Sequence, residues 1–180
     1  MTELCDIATK NGTDKAPWGW GYTSTYFRWL AERRAEIKTI LEVGVWKGAS
    51  LRTWRDFFPN AKIFGFEIDP GFEVVGEDRI KTFAIDGYLA ETYAGPIMQE
   101  IGAVDFFVDD ALHFEGPQVK LFGFVWPHIA PGGVYAIEEC HNNSKQGVMA
   151  EIEKAPDVAQ TELIYSKDGY SLLLLQKGKK

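Results

Sequence analysis

The sequence is poor in several things, and each shortage excludes a class of protein. Its 2 cysteines, Cys5 and Cys140, cannot build a disulfide framework, and nothing points to an oxidising compartment. Its longest apolar run, "SLLLLQ", is far too short to span a bilayer. Basic residues are outnumbered, 19 Lys and Arg against 26 Asp and Glu, which leaves a net charge of -7. A general phosphate-backbone binder needs a basic face, so no nucleic-acid partner is expected, although a small anionic ligand is not excluded. The opening "MTELCDIATKNG" has no basic stretch followed by an apolar one, so it does not read as a signal peptide. A cytosolic protein with no membrane partner is the expectation. Repeats, low-complexity tracts and Pro/Gly/Ser linkers are missing too, so residues 1–180 are expected to form one domain, with 1–37 as an N-terminal helical cap segment.

What is present is a recurring strand signal. "KTILEVGV", "AKIFGFEID", "IKTFAID", "VDFFVDD", "GGVYAIEEC", "TELIYS" and "SLLLLQK" follow one another at roughly even intervals. Several are continuously apolar rather than alternating, as in parallel strands covered by helices on both faces. Segments with helical potential lie between them: Ser50 to Phe58, Tyr88 to Gly102, Gln118 to Ile129 and Lys145 to Ala155, with a leading helix over Ser24 to Ile37. Strand alternating with helix predicts an α/β, Rossmann-like, doubly wound fold. Asp168-Gly169 in "SKDGY" is a hairpin turn signal, so the mainly parallel seven-stranded sheet should end in an antiparallel C-terminal hairpin.

Acids gather where such a fold places its ligand. Glu67 and Asp69 end the second strand, Asp86 the third, Asp109 and Asp110 the fourth, Glu138 and Glu139 the fifth. The ligand crevice of an open α/β sheet lies outside those ends. Gly44 and Gly48, in "LEVGVWKGASL", permit a tight turn and close approach of a ligand. The spacing from Glu42 is not G-x-G-x-x-G, which argues against a nicotinamide-dependent oxidoreductase, and it is not a P-loop. A plain strand-to-helix turn would need the same glycines. Glu67 stands where a carboxylate accepts from both ribose hydroxyls of a nucleoside; the bland alternative is a solvated turn before Pro70.

Two acid pairs at neighbouring strand ends repel, and a divalent cation removes the conflict. Hard oxygen ligands suit Mg2+. Asp110, Glu138 and Glu139 are the candidate ligands, not all of them direct, while Asp109 faces the cofactor or supports the turn. The alternative is that both pairs are exposed turn residues. His113, three residues after Asp110, is the candidate base, since a metal lowers the pKa of a bound hydroxyl and histidine titrates near neutrality. A capping or surface histidine is the rival for His113, and His141 is a weaker candidate base. His128 reads as structural and Cys140 as a small buried hydrophobe. Trp18, Trp20, Tyr22, Tyr26 and Phe27 form either a wall of the site or ordinary core, and Trp54, Phe57 and Phe58 read as core.

The motifs "LEVGVWKGASL", "FGFEIDP", "VDFFVDDALH" and "GGVYAIEEC", in this order, resemble those of class I S-adenosylmethionine-dependent methyltransferases. Within that fold, "GTDKAPWGWGYTSTYFRWL", "LRTWRDFFPNAKIFG", "DDALH" and "IEECH" resemble the metal-dependent sugar O-methyltransferases of macrolide biosynthesis, of the mycinamicin and tylosin type. The likeness runs from about Lys10 to His141. It implies that S-adenosylmethionine is the cofactor. Gly44 and Gly48 would lie at its methionine part, Glu67 at its ribose and Asp86 near its adenine, with Glu42 also among the cofactor-binding residues. Ser50, Tyr22 and Thr23 would reach its amino-acid end, and Asp109 would lie on the cofactor side. The histidine at His113 matches the family as well. Three departures bear on the substrate rather than on the reaction: Trp20 where the family often has His, Ala111-Leu112 where it often has Gly-Ser, and no large N-terminal domain. The expected activity is transfer of a methyl group to a hydroxyl of a small molecule, a sugar or glycosylated natural product first and a catechol-like diol second. A non-catalytic cofactor-binding module is the rival. A chain this short supplies little lid, so closure by a neighbouring copy in a homo-oligomer is expected.

Overall fold

A computed structural model of the protein describes residues 1–141, 145–166 and 169–179. Its centre is one seven-stranded sheet with the spatial order β3-β2-β1-β4-β5-β7-β6. The strands are β1 (Thr39–Val43), β2 (Lys62–Glu67), β3 (Ile80–Ala84), β4 (Val104–Asp109), β5 (Ile129–His141), β6 (Val158–Tyr165) and β7 (Tyr170–Lys177). The first five pair in parallel, and β7 runs antiparallel to both β5 and β6. All seven apolar runs therefore form strands, and the terminal antiparallel pair is present. Asp168 of the expected turn lies outside the described residues; Gly169 has φ 81°, which suits a tight reversal.

Helices cover both faces, and the alternation of side chains along each strand sorts them. Ile40, Ile63, Phe106, Val134 and Leu174 point to the face carrying α1 (Glu3–Asn11), α2 (Thr23–Leu30) and α3 (Ala49–Phe57). Leu41, Phe64, Phe107, Tyr135 and Leu173 point to the face carrying α4 (Ala90–Ala94), α5 (Pro96–Ile101), α6 (Glu115–Val125) and α7 (Lys145–Ile152). Both layers are buried on the strands, which is why the runs read as continuously apolar rather than alternating.

Several helix boundaries differ from expectation, among them the ends of α6 at Val125 and of α7 at Ile152. The helix expected over Tyr88 to Gly102 is broken in two: Gly95 is extended, ψ -176°, because Pro96 disfavours a helical residue before it and then opens α5 at its first position. The leading helix stops at Leu30 and continues only as a 3-10 turn, Ala31–Arg33. The helix expected from Gln118 begins at Glu115, so it starts two residues after His113. α1 precedes all of these. Thr2 caps it through its side chain, and Gly12 ends it in the left-handed region. Among the described residues no helix is long and apolar enough to cross a membrane.

The sheet order reverses between β1 and β4, since β2 and β3 lie to one side and β5, β7 and β6 to the other. The carboxyl ends of strands flanking such a switch form the crevice of a doubly wound sheet. One acid from each of the β2 to β5 ends, Glu67, Asp86, Asp110 and Glu139, lines it.

Candidate active site

The crevice is a cavity of about 500 Å³. Its first half is built from backbone. Gly44 leaves β1 at φ 92°, and a Cβ there would stand 2.1 Å from the carbonyl oxygen of Asp110, so only glycine lets the β1 and β4 ends approach this closely. The turn that follows holds Trp46 at φ 46°, uncommon for a residue with a side chain. Glu67 secures it. Its Oε2 accepts from the amides of Val45 at 3.1 Å and Trp46 at 2.8 Å, and its Oε1 accepts from the amide of Asp69 at 3.1 Å. A carboxylate has about four acceptor positions, so Glu67 retains capacity for a ligand hydroxyl. Asp86 accepts from the Tyr88 amide at 2.8 Å. The Tyr88 hydroxyl accepts from the Leu112 amide at 2.8 Å and donates to Asp109 Oδ1 at 3.2 Å, tying this half to the loop that carries Asp110 and His113.

The second half is built from charge. Pairing of β5 with β7 slips between Ile137 and Cys140, and within that bulge Glu139 takes φ 49°. A bulge re-aims a strand's side chains, and here it separates two adjacent acids. Glu139 turns to the cavity and accepts from His113 Nε2 at 2.9 Å. Asp110, His113 and Glu139 each offer one ligand atom, all within 4.8 Å of one another, a grouping that could hold a metal ion. Burial pulls the His113 pKa down, but the Glu139 hydrogen bond and charge, the Asp110 charge and the Glu138 carbonyl outweigh it and raise it above its usual value.

Glu138 turns the other way, into the interior, and is 1% exposed. Its Oε1 accepts from the Tyr26 hydroxyl at 2.5 Å and its Oε2 from Lys15 Nζ at 2.7 Å. The same ammonium donates to Asp110 Oδ2 and lies 3.8 Å from Glu42 Oε1. Lys15 reaches these acids from the turn between α1 and α2, which is pinned by Trp20 N–H to Asp14 O at 2.7 Å and Thr23 N–H to Lys15 O at 3.2 Å. Glu42 also accepts from Ser50 Oγ and Trp54 Nε1, each at 2.5 Å. Burial pushes the Glu42 pKa up to about 7, with Lys15 pulling against it.

Of the residues expected at the site, Gly44, Ser50, Glu67, Asp86, Asp110, His113 and Glu139 line the cavity. Six others stand back from it. Glu42 is fully buried behind Ser50, Gly48 packs against Val74 at the start of α3, and Asp109 is buried beneath Tyr88. Thr23 is buried against Cys5 Sγ at 3.3 Å, and Tyr22 is 2% exposed under Trp20. Glu138, expected as a metal ligand, has its carboxylate engaged by Lys15 and Tyr26, and the converging third group is His113 instead. His141 packs edge-on against Tyr170, 5.1 Å between ring centroids, away from the cavity lining. Three titratable cavity residues had no sequence signal as chemistry: Asp14, Tyr88, and Lys15, whose only hint was a single base within the small and aromatic "GTDKAPWGWG".

No protein-family model matches the chain. It is 32% identical over 144 residues to mycinamicin VI 2''-O-methyltransferase of Micromonospora griseorubida, covering 76% of this chain and 36% of that protein. It is 34% identical over 151 residues to demethylmacrocin O-methyltransferase of Streptomyces fradiae, again 76% and 36%. The chain thus spans about a third of the length of the curated relatives it matches. Among solved structures it is similar to the MycE methyltransferase of the mycinamycin biosynthetic pathway in complex with Mg and SAH, with a TM-score of 0.82 and 26% identity over 98% of this chain and 55% of that one. The same enzyme with Mg, SAH and mycinamycin VI gives a TM-score of 0.83 at 25% identity.

Proposed function

The chain belongs in fold with the class I methyltransferases and is related in sequence to the sugar O-methyltransferases of macrolide and polyketide pathways, and on that premise we propose that it methylates a hydroxyl of a small molecule, a sugar or glycosylated natural product, using S-adenosylmethionine and a divalent ion, Mg2+. The observation that carries the reading is the convergence of Asp110, His113 and Glu139 in a cavity whose opposite wall ends in Glu67 and Asp86. The residues fit both groups: two carboxylates for a hard cation, with an imidazole beside them as the base, and a glycine turn beside a carboxylate with spare acceptor capacity for a nucleoside.

When bound, the cofactor supplies an electrophilic methyl group and the ion acts as a Lewis acid towards the acceptor hydroxyl. The chain's own residues do the rest. Glu67 fixes the Val45-Trp46 turn and accepts from the ribose, with Asp86 near the adenine and Gly44 and Ser50 at the methionine end. Asp110 and Glu139 hold the ion. Glu138 contributes charge from beneath rather than as a direct ligand, and Glu42, Gly48, Asp109, Tyr22 and Thr23 support the walls from behind. His113 is the base for the acceptor proton; its Nε2, which now donates to Glu139, accepts that proton only after giving up its own. The cavity walls align acceptor and donor, the large term in a two-substrate transfer. Two unpaired, buried thiols support placing this chemistry in the cytosol. Exposed Trp46, Ile68 and Leu112 at the cavity support closure by the acceptor's apolar body or by a second copy.

Calorimetric titration with S-adenosylhomocysteine, with Mg2+ or with EDTA, tests this on wild type and Asp110→Asn. The nucleoside should bind both proteins, and Mg2+ should give heat with wild type alone. A wild type that binds no S-adenosylhomocysteine overturns the reading. Nucleoside binding without measurable Mg2+ binding, acceptor present, removes the metal from it. With an accepted glycoside in hand, His113→Gln should lower turnover by about 10²–10⁴-fold.

A further inference from the structure

Lys15 has no part in the function just described, yet it touches that site's metal half. Its side chain is 1% exposed, and lysines are almost never buried to this degree unless paired. Its neighbours are Asp110, Glu138 and Glu42, from the β4 end, β5 and β1. The other oxygen of Glu138 is satisfied by Tyr26, and both oxygens of Glu42 by Ser50 and Trp54. With Nζ 2.7 Å from Glu138 Oε2, bonded to Asp110 Oδ2 and 3.8 Å from Glu42 Oε1, three carboxylates surround the group and it is held as an ammonium. A cation thus already relieves the repulsion among these acids, with no metal needed. Asp110 faces in two directions: Lys15 engages its Oδ2, and it also belongs with His113 and Glu139 to the group able to hold an ion.

Resting on the function proposed above, we propose that Lys15 is a resident counter-cation that neutralises Asp110 and Glu138 in the metal-free chain and, by sharing Asp110, keeps divalent-ion binding weak until acceptor oxygens join the coordination. The physical basis is charge. An ammonium and a dication on the same carboxylate, with little water between them, repel strongly, and each draws the carboxylate's charge away from the other. Mg2+ is commonly held by one or two carboxylates together with substrate oxygens, and a protein-only site weakened in this way favours that pattern. If Lys15 merely offset buried Glu138, neutralising Glu138 would leave it no influence on the ion.

The discriminating comparison is between Glu138→Gln and Lys15→Met/Glu138→Gln. Both lack the buried Glu138 charge, and they differ only in the ammonium on Asp110. Mg2+ affinity is measured by calorimetry with S-adenosylhomocysteine present, and folding is checked by thermal melting. The double variant should bind Mg2+ at least about tenfold more tightly than Glu138→Gln, while Lys15→Arg, which keeps the charge, stays near wild type. Equal or weaker binding by the double variant overturns the proposal. Should the methionine variant fail to melt cooperatively, Lys15→Gln/Glu138→Gln answers the same question under the same two criteria. A wild type that binds no S-adenosylhomocysteine overturns the proposed function instead, and one that binds no Mg2+ even with acceptor present removes the metal from it, so these failures are distinct from that of the proposal.

Discussion

The two walls of the cleft are organised in opposite ways. On the β1–β2 side one carboxylate, Glu67, gathers three backbone amides. On the β4–β5 side one ammonium, Lys15, gathers carboxylates. The first wall is a loop held in shape by an acid that is only partly buried, so water can replace much of what a substitution removes. The second is a charge cluster whose Lys15, Glu138 and Glu42 are closed off from water, where a missing partner leaves an uncompensated ion. Shape on one side and charge balance on the other suit a nucleoside and a cation, respectively.

Breaking the charge wall should therefore cost the most. Lys15→Met alone leaves Glu138 buried without its cation and should lose ~3–5 kcal/mol of stability, read from urea unfolding. Adding Glu138→Gln should recover most of that loss; no recovery would mean the two do not act as a pair. Asp110→Asn comes next: it should weaken Mg2+ by more than about tenfold, since losing even an outer partner of a metal ligand costs ~10–100-fold. Nucleoside binding should be retained, and its loss would show that the two walls are not separable.

Glu67→Gln is the converse experiment. A hydrogen bond to a charged acceptor contributes ~1.5–3 kcal/mol, so S-adenosylhomocysteine affinity should fall by about tenfold or more while Mg2+ heat persists. The smallest effect concerns pH. Burial raises the Asp109 pKa from 3.8 to about 7, against the lowering pull of Tyr88. Between about pH 4 and 7 the folded state therefore binds a proton that the unfolded state has released, so stability falls as pH rises through this window and levels off above it. Asp109→Asn lacks this loss. Melting temperatures in EDTA, taken at about pH 4.5 and about pH 8, make the comparison. The wild type should fall between them by at least ~3 °C more than Asp109→Asn does, at ~2–4 °C per kcal/mol for this size. Parallel curves would place the titration elsewhere.

Much of this was legible in the chain. Seven apolar runs predict seven strands because burial on both faces demands continuous apolar residues, and "SKDGY" predicts the closing reversal. The acids at strand ends predict the crevice because that is where a parallel sheet exposes its backbone ends. The Gly95-Pro96 break is written in the residues too, since proline restricts the residue before it. Lys15 is different. Its partners lie 95 and 123 positions away, and a single lysine in a turn carries no local mark of burial. Tyr88 is equally silent, as its hydroxyl acts only where the β3 and β4 loops meet.

Glu138 and Glu139 show where the division falls. By itself the sequence determines that two acids end the fifth strand, and that neighbours on a strand point to opposite faces. Which of them meets a metal and which a lysine is decided by the bulge at Glu139 and by the α1–α2 turn that packs Lys15 beneath the sheet's end. The reason is physical. Alternation is a property of the backbone and can be read along it, whereas a buried charge's partner is chosen by whatever distant segment fills the space beside it.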